Sequence, residues 1–477
     1  MTDDIGTETD GCDLGDQRLN ARYKLLLERL GDQPQRSIPA ACRGEAEVEG
    51  AYRFFDHPAI TPDRLLAPHQ VATRRRMAEQ TCVVVAQDTT AIDLTRKERV
   101  VGGPLAADNR CGFFCHLSLA VTTTGVPLGV LASQTWSRDP ETVGQSKANR
   151  KSQSIDEKES YRWIEGYRAC YAAARSLPGV ELIRVSDSEA DSSELFVEAA
   201  VPDHAAKFLV RACQNRRLAG EGQPYLRASV AATAVLGTRI VRVSERPAKP
   251  SETRTRRTSR SERDAVLTIQ ATTVTRTSPH RTDGELPPVT VTVVLAREVN
   301  PPAGEEAIEW LRVTDLAAAT RADAERVLDL YPHRWPIAVS VRVLKSGCGV
   351  EQLQLETAAR FGNALTVYQI VAWRVLPVTM LGRACPALPC ETVLTEAEWK
   401  AVYLVVVRKP LPTTPPTLGA MDCDVGWVPG PCERPTARPE GDVGRPAKSP
   451  HPSARLGNLR PRCQKLCGIM RAMPWAD

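Results

Sequence analysis

Two short apolar runs, each leading into an aspartate, constrain the fold more than any other feature of the chain. Cys82-Val83-Val84-Val85-Ala86-Gln87 is followed directly by Asp88, and Val180-Glu181-Leu182-Ile183-Arg184-Val185-Ser186 by Asp187. Runs of this length, rich in β-branched residues, read as buried strands. A carboxylate at the end of a buried strand is costly unless it is paired or binds a metal. Either aspartate taken alone reads rather as a helix N-cap or a strand-end loop residue.

The segment between them narrows the choice. In residues 114–136, Leu117, Leu119 and Val121 alternate, Thr124-Gly125 supplies a turn, and Val126 to Trp136 returns, the pattern of a β-hairpin. Ile164, Tyr167, Tyr171 and Ala174 then repeat at helical spacing over residues 156–177, where Pro178-Gly179 stops the helix. The order strand, hairpin, helix, strand fits the 99 positions from Asp88 to Asp187 and places the two aspartates on neighbouring strands.

A second constraint lies in residues 331–345. Tyr331, Arg334, Ala338, Arg342 and Lys345 are spaced by three, four, four and three, so one helix would carry them on one face. A phenol, two guanidiniums and an ammonium along a line suit a phosphate backbone. The same spacing also describes a solvated face beside a core stripe of Ile337, Val341 and Leu344.

This stretch resembles the Y-x2-R-x3-E-x6-K signature of bacterial cut-and-paste DDE transposases, the transposon-five-like group of insertion-sequence enzymes, with Tyr331, Arg334 and Lys345 in register. The glutamate of the signature falls on Ala338. Asp187-Ser188-Glu189-Ala190-Asp191 resembles the D-x-E-A-D segment of the same group. Leu14-Gly15-Asp16-Gln17-Arg18 and Glu49-Gly50-Ala51-Tyr52-Arg53-Phe54-Phe55 resemble its end-binding domain, and residues 16–31 read as an amphipathic helix with a basic side. Val299-Asn300-Pro301-Pro302-Ala303-Gly304-Glu305 with Trp310 resembles the segment whose tryptophan stacks on a flipped base, and Arg211 a phosphate-contacting arginine. An ordinary core tryptophan is the other reading of Trp310. The resemblance spans residues 14–418.

It implies an α/β fold: a ribonuclease H-like catalytic core interrupted by a β-rich insertion, with a helical N-terminal DNA-binding domain and a disordered C-terminal tail. The expected units are a DNA-binding domain at 1–75, a first core part at 76–205, the insertion at 206–315, a second core part at 316–409 and the tail at 410–477. Strands are expected near 207–211, 238–243, 265–274 and 289–295, and the Arg-rich residues 254–263 as an exposed loop. Thr395-Glu396-Ala397-Glu398 reads as a capping box. From about Pro410 the chain is loaded with Pro, Gly and Arg without apolar periodicity.

The family's chemistry holds two divalent ions, Mg2+ or Mn2+, between three carboxylates and the scissile phosphate. Asp88 and Asp187 would be the catalytic metal ligands, and Ala338 marks the missing third, so the second metal site is compromised. Asp329 and Glu325 before Ala338, and Glu351 after it, lie about 13–20 Å away along a helix at its usual rise. Pro336 kinks the helix unless it occupies the first turn. Arg211, Trp310, Tyr331, Arg334, Arg342 and Lys345 would contact DNA, the partners being transposon ends and target, bound by a homodimer. The alternative function is a non-catalytic DNA-binding remnant or inhibitor of transposition.

Composition sets the remaining limits. A net charge of +5 over 477 residues is mild, so a nucleic-acid surface must be local. The N-terminus carries Asp3 and Asp4 and no apolar stretch of signal-peptide type, so the 14 cysteines are expected as reduced thiols in a bacterial, nucleoid-associated cytoplasmic protein. Cys111 and Cys115 lack a second pair at zinc-finger spacing, and no run of 18 apolar residues suggests a membrane span.

Overall fold

A computed structural model describes residues 5–96, 101–106, 109–140, 155–201, 205–246 apart from 221 and 223, 259–277, 284–404 apart from 385, 393 and 395, and 410–425. The N-terminal region is helical: α1 (Gln17–Asp32), α2 (Ile38–Ala41), α3 (Glu45–Asp56) and α4 (Pro62–Ala78). Asp16 caps α1 by accepting from the Arg18 N–H, and Thr61 caps α4 with a proline in its first turn. Helix α4 runs through the boundary expected at residue 75.

One mixed sheet of ten strands organises the rest. Its strands are β1 (Cys82–Asp93), β2 (Gly103–Pro104), β3 (Cys111–Thr122), β4 (Pro127–Trp136), β5 (Glu181–Ser186), β6 (Ala206–Arg211), β7 (Gly237–Val243), β8 (Arg263–Arg276), β9 (Val289–Glu298) and β10 (Glu309–Thr314). They run in the order β2-β3-β1-β5-β6-β10-β9-β8-β7, with β4 also paired to β3. The hairpin β3–β4 turns at Gly125, whose φ of 89° needs glycine. Strand β1 pairs antiparallel with β3 and parallel with β5, and β5 parallel with β6.

Helix α5 (Tyr161–Ser176) crosses between β4 and β5, and α6 (Ser193–Ala199) between β5 and β6. Val83 and Val85 of β1 pack with Trp163, Tyr167 and Cys170 of α5 on one face of the sheet. Val84, Ile183 and Leu209 pack on the other face with Ala324, Val327 and Leu328. This two-sided burial is why these strands read as continuous apolar runs.

Three elements differ from the sequence expectations. Strand β1 does not stop before Asp88 but continues to Asp93, held by β3 alone after its pairing with β5 ends. Strand β6, grouped by sequence with the β-rich insertion, belongs to the parallel part of the sheet. The insertion strands extend the same sheet through β10, which pairs antiparallel with β6. Arg263, expected in a loop, opens β8 and pairs with Glu298 and Glu305, while residues 254–258 lie outside the described residues.

The chain then forms α7 (Leu226–Ala231) over the outer strands and α8 (Arg321–Leu330) after β10, the latter started by a capping box of Thr320 and Asp323. Residues 331–345 are not one regular helix. A 3₁₀ turn, Tyr331–Arg334, leads into α9 (Trp335–Arg342), which loosens into a π turn over Val343–Gly347. Pro336 sits in the first turn of α9, where its missing N–H costs nothing, so no kink follows.

Helix α10 (Ala358–Ala384) closes the molecule against the N-terminal helices. Asn363 donates to the carbonyls of Phe55 and Ile60 at 3.0 and 3.1 Å, and Arg360 pairs with Asp56 at 2.7 Å. Short helices α11 (Glu396–Val402) and α12 (Leu418–Val425) follow. Thr395 of the expected capping box lies outside the described residues. Helix α12 falls within the stretch expected to be disordered, and its Leu418 and Met421 are buried; residues 426–477 lie outside the described residues.

Candidate active site

The last parallel pair between β1 and β5 is Ala86 with Val185. Two residues past that pair come Asp88, still in β1, and Asp187, just beyond the end of β5, near enough for the charge of Asp187 to act on Asp88. Asp88 is half-buried in the body of β1, opposite Leu117 of β3. Burial first, and then the charge of Asp187, push its carboxyl above the usual range, against the opposing effect of Arg334. Asp187 leaves β5 and caps the 3₁₀ turn Ser188–Ala190, accepting the Glu189 N–H at 2.8 Å. The N-cap reading of that residue is therefore realised, and it does not displace the carboxylate from the strand end. Glu189 follows within electrostatic range: burial, Asp187 and Asp88 all raise its carboxyl.

Arg334 closes over this pair. Its Nη1 donates to Asp88 Oδ2 at 3.0 Å, with both side chains mostly buried. Ala338, half-buried in α9, follows one turn later, about 5.4 Å along the axis. It brings no oxygen to the site. Among the described residues no group of three His, Cys, Asp or Glu side chains is arranged to hold a metal ion. Two carboxylates still suit one Mg2+, which is commonly held by one or two carboxylates with water and substrate phosphate completing its shell. A second ion would lack protein ligands.

The remaining members of the stripe part company. Tyr331 lies against the guanidinium of Arg312, whose Cζ is 3.7 Å from the ring centroid. Arg342 is exposed. Lys345 pairs with Glu351 at 3.2 Å, and Glu351 also accepts the Asp93 N–H at 3.0 Å. Glu351 therefore folds back onto β1 through the left-handed Gly349, rather than extending along a helix. It remains remote from Asp88, because the five positions from 88 to 93 span about 16 Å of strand.

Arg211 and Trp310 join the same face of the sheet. Arg211 ends β6, exposed, and donates to Ser188 Oγ at 3.1 Å, next to Asp187. Trp310 is half-buried on β10 and, like Tyr331, packs against the apolar cluster under α8. It is thus a core residue at least in part.

Sequence reasoning missed two arginines. Arg312, two residues after Trp310, shares its face, and an arginine inside the apolar run Leu311-Arg312-Val313 was the available signal. Arg184, fully buried in β5, points to the opposite face, where it contacts Gln87 and lies over the Trp163 ring at 5.5 Å. Burial lowers its guanidinium to about 10. Gln87 donates to Ser118 at 2.9 Å and Thr89 meets His116 at 2.9 Å, so a buried polar layer underlies the β1 aspartate.

Residues 4–60 match the family model described as transposase DNA-binding. The match covers α1 to α3. Among solved structures, a cryo-EM structure of the piggyBac transposase synaptic complex with hairpin DNA aligns at 8% identity and a TM-score of 0.32. That alignment takes in 73% of this chain and 57% of the other, so this chain spans little more than half of that protein. No described helix is long and apolar enough to cross a membrane.

Proposed function

We propose that the chain is a transposase-family protein that binds transposon ends, with a ribonuclease H-like core whose two-metal site has lost one carboxylate. The observation that carries this reading is that Asp88 in β1 and Asp187, just past the end of its parallel neighbour β5, both follow the last paired residues of those strands, with Arg334 bonded to Asp88. The sheet order β4-β3-β1-β5-β6, antiparallel on one side of β1 and parallel on the other, supports the core assignment. The match over residues 4–60 supports DNA as the partner.

In this reading Asp88 and Asp187 would hold one divalent ion, which would supply Lewis acidity to the scissile phosphodiester. Arg334 is positioned to exchange its contact with Asp88 for one with phosphate, a charge-assisted bond of similar geometry. Arg211 and Tyr331 orient the strand from the neighbouring strand end and turn. Ala338 favours a second reading, a non-catalytic protein that occupies ends or poisons a homodimer in a bacterial cytoplasm.

Cleavage of the element's own ends in Mg2+ or Mn2+ separates the two. The impaired enzyme gives weak cleavage that Ala338→Glu raises strongly. End binding without cleavage, unchanged by Ala338→Glu, supports the remnant. Absence of end binding contradicts both.

A further inference from the structure

Arg312 and Arg211 are directly opposed in the antiparallel register of β10 and β6. Opposed residues share a face, with Cβ atoms about 4.5–5.5 Å apart, and like charges there are destabilising. Arg211 escapes outward to Ser188, but Arg312 is 6% exposed. Its Nε is buried without a hydrogen-bond partner, and its Nη1 donates to the carbonyl of Leu311 at 3.2 Å. Among the described residues no carboxylate forms an ion pair with it. A buried cation in that state is expensive, and the Tyr331 ring face offsets only part of the cost. Burial, Arg211 and Arg334 together lower its guanidinium to about 10, while Tyr331 opposes them.

The three guanidiniums thus form a local concentration of positive charge immediately beside Asp88 and Asp187. Arg334 is neutralised by Asp88 and Arg211 is solvated. Arg312 alone has neither relief. What would complete it is an anion with several acceptor oxygens reaching the rim formed by Tyr331, Arg211 and Ser188. A phosphodiester fits, because a guanidinium binds it through parallel charge-assisted hydrogen bonds.

We propose that Arg312 is a phosphate-binding residue of the candidate active site, taking a DNA phosphate adjacent to the one at Asp88 and Asp187 when Tyr331 swings off its guanidinium. This rests on the functional reading above and adds to it a contact outside the sequence signature. It also gives the site a fixed cation near where a second metal ion lacks ligands.

The test uses the full chain and a short fluorescent DNA duplex carrying the element's end, titrated over a range of salt concentrations. Arg312→Gln is expected to bind about tenfold more weakly at low salt and to lower the log–log salt slope by about 0.9, the value for one phosphate contact. Arg312→Lys, which keeps the charge, is expected to restore most of the slope. Arg312→Leu serves as the folding control, since an apolar side chain suits the buried strand and its melting temperature reports the fold. A folded Arg312→Gln or Arg312→Leu with the wild-type slope overturns the proposal and leaves the DNA-binding reading intact. Failure of the wild-type chain to bind overturns that reading, and this proposal with it.

Discussion

Arg334 donates to Asp88 across 3.0 Å, tying the turn before α9 to the middle of β1 and placing a guanidinium on a carboxylate expected to bind metal. One guanidinium cannot serve a carboxylate and a phosphate fully at once, and a divalent ion at Asp88 competes with it. Arg334→Gln is therefore expected to raise divalent-cation affinity several-fold while weakening DNA binding. Cation titration and DNA titration on the same variant check this. A fall in both affinities would mean that Arg334 organises the site rather than competing within it.

Glu8 supplies a pH test of how the N-terminal segment is held. Burial alone would raise its carboxyl, yet hydrogen bonds from His69 and Arg76 outweigh it and hold the group at about 2. Burial lowers the His69 ring, and its Nε2 accepts the Val130 N–H at 3.0 Å, so the ring is neutral and Arg76 provides the charge. Since folding depresses this carboxyl, the stability it gives is present above its ordinary value of 4.5 and is lost as pH falls towards 2. Melting temperatures of the wild type should fall more steeply across that window than those of Glu8→Gln. Parallel profiles would remove Glu8 as the cause.

Asn363 is the joint between α10 and the N-terminal helices. Its Nδ2 serves two carbonyls, one at the end of α3 and one just before the cap of α4. Asn363→Ala should cost about 1–3 kcal/mol, the usual penalty for stranding such groups. Urea unfolding measures this directly. A loss below about 0.5 kcal/mol would show that the carbonyls find water instead.

Some of this architecture was legible in the sequence because local rules decided it. Alternation in Leu117, Leu119 and Val121 with Thr124-Gly125 gave the hairpin, and Pro178-Gly179 ended α5 close to where it was expected. What could not be read was tertiary. The run after Gln87 lacks a strand pattern on its own, and β3 alone keeps Asp88 to Asp93 extended. The spacing from Tyr331 to Lys345 suggested one helix, but the change from 3₁₀ turn to α to π rotates the stripe, sending Lys345 to Glu351 and Tyr331 to Arg312. Pairing of β6 with β10 depends on contacts some hundred residues apart, which no local pattern reports, and so Arg312 went unnoticed.

The central claim, that Asp88 and Asp187 jointly hold a divalent ion, is tested most directly by calorimetric titration of the full chain with Mn2+. One ion is predicted for the wild type, none at this site for Asp88→Asn or Asp187→Asn, and a second for Ala338→Glu. An Asp187→Asn chain that binds Mn2+ as the wild type does, or a wild-type chain that binds none, would contradict it.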